Sequence, residues 1–463
     1  MSPRRSARNA TTLWSQSAKP DALMMAYTVG DDRSWDARLI RWDILGSLGH
    51  IEGLRAGGLL TGRDHAVLRR GLRAALRSHA AGRFTIDARH EDVHSAVEDW
   101  LTRKVGEAGA RVHTGRSRND QVACDLRLYL KHMVLELHGC GSALGQALLQ
   151  FAARHQAVLW PGYTHQRRAM PSSAGLWAAG LAESLLVALE SVPPLWARID
   201  RSPLGSAAGY GVPLPLRRET AMRALGFGGL DHVVTTTQLT RGQLETAVLS
   251  WCVDLAHAAS RAAADVVLLS SEEFGFFLLP SELATGSSIM PQKRNPDLFE
   301  LTRARAAALD GDLAAVLQLR GKLTSGYHRD FQLLKEPLFR GLDRTGEMLA
   351  MMAHAIPRLA VDRKRALAAL QGDALVTDEV MRRVERGQAF RSAYREVAAE
   401  LKRGGKFPAP SAADLVRRRR STGGLGNLGL SALRQRLTAA TRWQRRERER
   451  FDRTMKRLAG PAR

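Results

Sequence analysis

The chain is 463 residues long, 44% hydrophobic and 25% charged, enough to bury a large core and to divide into two or three domains. Its formal charge is +23, yet only 6% of its residues are aromatic and arginine is spread along the whole length, so a base-stacking nucleic-acid surface is not expected. Three scattered cysteines, Cys124, Cys140 and Cys252, exclude a disulfide framework and have no metal-ligand spacing, which suits a reducing cytoplasm and a protein without a bound metal.

Residues 1–6 are basic but lead into no apolar run, so no secretory leader is expected. The longest apolar stretches, such as residues 274–280, are too short to cross a bilayer. Across residues 39–77 apolar positions recur at helical intervals and predict short helices, punctuated by Gly57-Gly58 and Thr61-Gly62. Asp92, His94 and Glu98 fall near the start of another helix, with His94 and Glu98 on one face.

Beyond Asn119 the helices lengthen. Leu126, Leu130, Met133 and Leu137 form one stripe, interrupted at Gly139 and Gly141. Leu244, Val248, Trp251 and Leu255 begin a second that continues to Leu269, a helix of roughly 25–30 residues and about 40 Å. Leu298, Leu301, Leu309, Leu313 and Val316 predict a third. Stripes this long pack helix against helix in a bundle, and strands are expected to be few. Composition shifts near Pro357 and Asp362, before a small C-terminal helical region. The arginine runs 417–420 and 442–457 read as solvated helix faces and a fraying tail. Gly424-Leu425-Gly426-Asn427-Leu428-Gly429 fits a dinucleotide-binding pattern but follows arginines instead of a strand, so it is read as a loop.

Between the second and third stripes lies a run dense in polar chemistry. Residues 286–297 pack a Gly-Ser-Ser turn, Lys293, Arg294 and Asn295 into twelve positions. Such a turn can point several backbone N–H groups and an ammonium at one anion, beside a serine able to lose its proton. That is a site for binding a carboxylate and removing a proton from the neighbouring carbon, or else a polar surface loop. The segment alone does not choose.

Three runs in fixed order do choose. They are Gly286-Ser287-Ser288-Ile289-Met290-Pro291-Gln292-Lys293-Arg294-Asn295, the earlier Ser117-Arg118-Asn119-Asp120-Gln121, and the later Tyr327 to Glu336 segment with Gln332 and Lys335. Together they resemble the signatures of the fumarase/aspartase superfamily, and within it the argininosuccinate lyase/delta-crystallin branch. The resemblance extends from about Leu13-Trp14 to residues 390–394. It implies a mainly α, three-domain fumarase/aspartase-like fold with a long central helical bundle, which forms a twenty-helix core in a homotetramer. We place the domains at residues 1–117, 118–360 and 361–463, the last with a basic tail.

The resemblance also implies a reaction, the reversible β-elimination of argininosuccinate to L-arginine and fumarate. It implies no cofactor, and active sites shared between three chains. Ser287 matches the family's base, while Lys293 and Asn295 match groups that clamp the reacting carboxylate. His165, in the Thr164-His165 pair, matches the acid, with Glu300 orienting its imidazole. Ser117, Arg118 and Asn119 match carboxylate-binding positions, His94 matches a further substrate-binding histidine, and Tyr327, Gln332 and Lys335 match those holding the arginine end. The chain departs from the family pattern at Gln166-Arg167, Leu333-Leu334 and Gly242. A relative with a different guanidino or amine leaving group, or a non-catalytic crystallin-like homologue, is the alternative reading.

Overall fold

The computed structural model describes residues 21–461 apart from Ala88; residues 1–6 and Leu13-Trp14 lie outside it. The chain is mainly α-helical. Two short helices, α1 (Ala22–Val29) and α2 (Asp32–Asp36), lead into α3 (Ile40–Ala56), α4 (Gly62–Ala80) and α5 (Val93–Val105). The helices expected over residues 39–77 are therefore two, of 17 and 19 residues, not several short ones. Thr61 caps the second by accepting the Asp64 N–H at 3.0 Å. Asp92 caps α5 through a reciprocal pair with Ser95.

The centre of the molecule is a bundle of long helices: α6 (Arg118–His155), α7 (Ala174–Glu190), α8 (Gln243–Leu269), α9 (Asp297–Arg320) and α10 (Lys335–Ala355). Helix α6 runs unbroken for 38 residues, through both Gly139 and Gly141. These glycines do not interrupt it because neighbouring helices pay the propensity cost of about 1 kcal/mol each. A Cβ on Gly141 would meet Leu189 Cδ2 at 2.9 Å, so the missing side chain lets α6 and α7 approach closely. Helix α8 is 27 residues long, as its stripe predicts, and Val248, Leu255, Ala259 and Val266 are all fully buried along it.

One apolar stretch among the described residues, Ala174–Ile199, is long enough to cross a membrane by length and composition, which the reading based on residues 274–280 missed. Half of its most apolar window is buried inside the chain.

Strands are few, as expected: three two-stranded pieces among the described residues. The only long one is the antiparallel hairpin β1 (Leu159–Thr164) and β2 (Arg167–Ser173). Its base is fixed by Trp160, which lies edge-on to Phe277 at 5.5 Å and to Trp177 at 6.3 Å.

After residue 375 come three smaller helices, α11 (Val376–Glu385), α12 (Phe390–Lys402) and α13 (Ala412–Arg418), with small apolar clusters of their own around Leu415 and Val397. Gly424–Gly429 is loop, as read from the sequence. The final helix α14 (Leu430–Ala459) then returns to the bundle and packs along α6 and α7. Leu433, Leu437, Phe451 and Met455 are buried in the main core. The arginine run 442–457 is thus the solvated face of a docked helix rather than a fraying tail.

Candidate active site

Capping chemistry sets the first wall of the site. Ser117 caps α6, and Asp120 in its first turn accepts the Ser117 N–H at 3.0 Å. The other Asp120 oxygen accepts the N–H groups of Gly205 at 3.0 Å and Ala207 at 2.9 Å. This one carboxylate ties the start of α6 to the loop crossing over it, and so fixes where Arg118 and Asn119 project. Burial pushes the Asp120 carboxyl up to about 6.

Arg118 and Asn119 line a cavity of about 140 Å³ together with His94, Tyr327, Gln332 and Lys335. Six of the residues singled out from the sequence therefore meet here, from segments more than two hundred positions apart. Gln332 lies in the short 3-10 turn Arg329–Leu334, and Lys335 opens α10 directly after it, so the segment is not one continuous helix.

The same cavity holds acids that the sequence reading missed. Gln332 Nε2 and Lys335 Nζ each donate to Asp32, both at 2.7 Å, and Lys335 also reaches Asp36 at 2.5 Å. Burial opposes the Lys335 charge, but Asp36 and Asp32 outweigh it and hold the ammonium above its usual range. Arg118 pairs with Glu91 at 2.7 Å and with Asp92 at 3.1 Å. The cavity thus has carboxylates suited to a guanidinium or ammonium, and cations suited to a carboxylate.

His94 is buried at the cavity wall, with Nδ1 2.8 Å from Asp43 Oδ1 and 3.8 Å from Asp125 Oδ2. These three are the one grouping of His, Cys and carboxylate ligand atoms among the described residues tight enough for a metal ion. An Nδ1 that carries a proton toward Asp43 has no lone pair left for a metal, so we read the group as a hydrogen-bonded one. Asp43 did leave a signal in the sequence. It is a lone acid between Trp42 and Ile44, within a run of buried positions on α3.

The remaining sequence-derived residues lie elsewhere on the chain. His165 and Gln166 form the two-residue tip of the hairpin with φ of 51° and 57°, the left-handed pair that a tight hairpin turn requires. Thr164, His165 and Arg167 are exposed there. Thr285 and Asn295 exchange backbone hydrogen bonds at 3.1 and 2.9 Å, closing the 286–294 loop at its neck. Ser287 Oγ accepts the N–H of Met290 at 3.1 Å, while Lys293 is exposed. Glu300 is exposed in the first turn of α9. Among the described residues no hydrogen bond joins Glu300 to His165, or Lys293 to Ser287, and none of these residues lines the cavity.

The lyase family matches residues 18–311. An argininosuccinate lyase of Sorangium cellulosum is 41% identical over 425 residues, covering 92% of this chain and 98% of its own length. One from Parabacteroides distasonis is 40% identical, covering 87% and 90%. Among solved structures, an EDDS lyase variant with bound fumarate has the same fold, with a TM-score of 0.78 at 22% identity and 95% of each chain covered. With such identity sustained over nearly the whole length, the chain belongs to the argininosuccinate lyase family of the fumarase/aspartase superfamily.

Proposed function

We propose that this protein cleaves argininosuccinate to L-arginine and fumarate, the last step of arginine biosynthesis. One observation carries the reading: His94, Arg118, Asn119, Tyr327, Gln332 and Lys335 converge on one cavity that offers both acids and cations. A substrate with a guanidino amino acid at one end and a dicarboxylate at the other needs both.

The hard step is removal of a proton from the carbon beside a carboxylate, which leaves that carboxylate with a second negative charge. In our reading Ser287 takes the proton, and Lys293 and Asn295 bind the charge that develops. Lys293 also lowers the cost of a nearby alkoxide. His165 protonates the departing guanidinium nitrogen, with Glu300 keeping the imidazole oriented and charged. Thr164, Ser117, Arg118, Asn119 and His94 bind carboxylates, Arg118 in a two-pronged geometry that lysine cannot reproduce. Tyr327, Gln332 and Lys335 hold the arginine end. The residues do this without a cofactor.

The protein acts as a cytoplasmic homotetramer in which three chains complete each site. Supporting this, the hairpin tip and the 286–294 loop lie outside the cavity of their own chain. Leu268, Leu301 and Met351 also leave apolar surface exposed on the bundle helices. Mixing the purified protein with argininosuccinate and following fumarate absorbance tests the reading. Absence of fumarate release would favour a different leaving group or a non-catalytic homologue.

A further inference from the structure

His94 is 6% exposed, and its ring is surrounded by charge from four directions. Asp43 approaches from α3 and Asp125 from α6, while Asp92 caps the helix that carries His94. Asp36, at the end of α2, adds a further acid, itself paired with Lys335 from α10. His113 also lies close, but burial holds its imidazole down at about 4, so it adds no charge near neutral pH. The Arg118 guanidinium shares Asp92 with the ring.

Two of those acids are unusual in having a buried oxygen without a hydrogen-bond partner, Oδ2 of Asp43 and Oδ2 of Asp125. Asp43 and Asp125 are each 1% exposed. The hydrogen bond between His94 Nδ1 and Asp43 Oδ1 spans 2.8 Å. It fixes the ring and its protonated nitrogen, and leaves Nε2, which takes no hydrogen bond within the described residues, on the side of the ring that lines the cavity.

We propose that Asp43 is a positioning residue for His94, holding it as an imidazolium whose Nε2–H is presented to the cavity as a fixed cationic donor for a substrate carboxylate. The inference rests on the argininosuccinate reading above. Burial works against a charged imidazole, yet attraction to Asp43, with Asp92 and Asp36 adding to it, outweighs that penalty and raises His94 above its ordinary range. Burial and repulsion from Asp43 push the Asp125 carboxyl well above its ordinary range. A neutral histidine here would offer either a donor or an acceptor at Nε2, according to its tautomer. The imidazolium always donates.

The test is KM for argininosuccinate between pH 6 and 8.5, measured by fumarate absorbance in the wild-type protein and in Asp43→Asn, His94→Gln and the double variant. Asp43→Asn is expected to raise KM about tenfold at pH 8, with the increase shrinking toward the acid end of the range, because without that carboxylate burial is no longer offset and the imidazole regains its proton only as pH falls. In the His94→Gln background the same substitution is expected to add less than about twofold, because Asp43 acts through His94. Equal penalties at every pH, or fully additive effects, would overturn the proposal and leave Asp43 a structural residue. If Asp43→Asn does not fold, the ratio of KM in His94→Gln to KM in the wild type decides alone. It stays constant from pH 6 to 8.5 if His94 is charged throughout, and a ratio falling toward one above pH 6.5 would overturn the proposal. Fumarate release by the wild-type protein is scored separately, so failure of the positioning role and failure of the function reading give different results.

Discussion

Arg118 donates to Glu91 across 2.7 Å, and the other oxygen of the same carboxylate faces Arg329 at 3.4 Å. The guanidinium is therefore held between Glu91 and Asp92 before any substrate arrives, and its direction is fixed by two acids rather than by packing alone. Lysine presents one ammonium where arginine presents a planar fork, and it cannot keep both pairs and still face a substrate carboxylate. Arg118→Lys is expected to raise KM for argininosuccinate about tenfold or more, a loss of roughly 1.4 kcal/mol in binding, with helicity unchanged. Steady-state kinetics beside a far-ultraviolet circular dichroism spectrum check this. A KM within twofold of the wild type would remove Arg118 from substrate binding.

Ser287 sits in a loop closed at its neck by the Thr285–Asn295 backbone pair, and its hydroxyl accepts only local N–H groups. Deleting that hydroxyl removes little packing. Ser287→Ala is expected to keep the assembly and its melting temperature while turnover falls by well over tenfold, more than about 1.4 kcal/mol of transition-state stabilisation. Retention of a tenth or more of wild-type kcat would show that another group takes the proton.

Some of this architecture was legible in the sequence and some was not, for identifiable reasons. The α8 helix followed its stripe because Val248, Leu255 and Val266 all face one core. Gly139 and Gly141 misled because a glycine in a helix signals a break by propensity, whereas tertiary packing, of Gly141 against Leu189 and of Gly139 near Gln444, overrides it. The arginine run 442–457 hid a docked helix, since the residues that bury α14, such as Phe451 and Met455, are widely spaced among charges. At the site, the local signatures located Arg118, Gln332 and Lys335. Their acidic partners Asp32, Asp36 and Glu91 come from segments without a signature, and only the fold brings them together.

The separation of the hairpin tip and the 286–294 loop from the cavity leads to a mixing experiment. If three chains complete each site, His165→Asn and Ser287→Ala proteins are each inactive, but hybrids contain some sites with neither lesion. Incubating the two under conditions of demonstrated subunit exchange is expected to restore part of the wild-type rate. No recovery would place the whole site within one chain.

Acid stability follows from a buried histidine on α6. His138 is fully buried, with its Nε2 unpartnered, and burial lowers its imidazole to about 4. Above pH 6.5 the folded and unfolded forms are both neutral at this residue, and its contribution is fully present. As pH falls from 6.5 toward 4 the unfolded chain takes up a proton that the folded chain refuses, so stability drops, by an amount on the order of 3 kcal/mol at most. Urea midpoints at fixed protein concentration should therefore decline through this window. His138→Gln, which does not titrate, is expected to show a shallower decline. Parallel slopes in the two proteins would assign the acid sensitivity to other groups.

Arg167 is where the chain departs from its family beside the proposed acid, and the structure places it at the start of β2, directly across the hairpin from Thr164. It is exposed, and among the described residues no carboxylate pairs with it. Some arginines on the helical surface do pair with acids, as Arg436 does with Glu183 and Glu190. An unpaired guanidinium two residues from His165 is free to meet an anion when the hairpin tip joins a site, and argininosuccinate carries three carboxylates. Direct contact gives a charge-assisted hydrogen bond that salt weakens where the site remains open to solvent. Arg167→Gln is accordingly expected to raise KM about tenfold at low ionic strength, roughly 1.4 kcal/mol, with the gap to the wild type narrowing as salt is added. Glutamine retains hydrogen-bonding capacity without the charge, so the salt dependence isolates the electrostatic part. An unchanged KM at every ionic strength would put Arg167 outside the site and leave Gln166, held at positive φ on the tip, to fill its place.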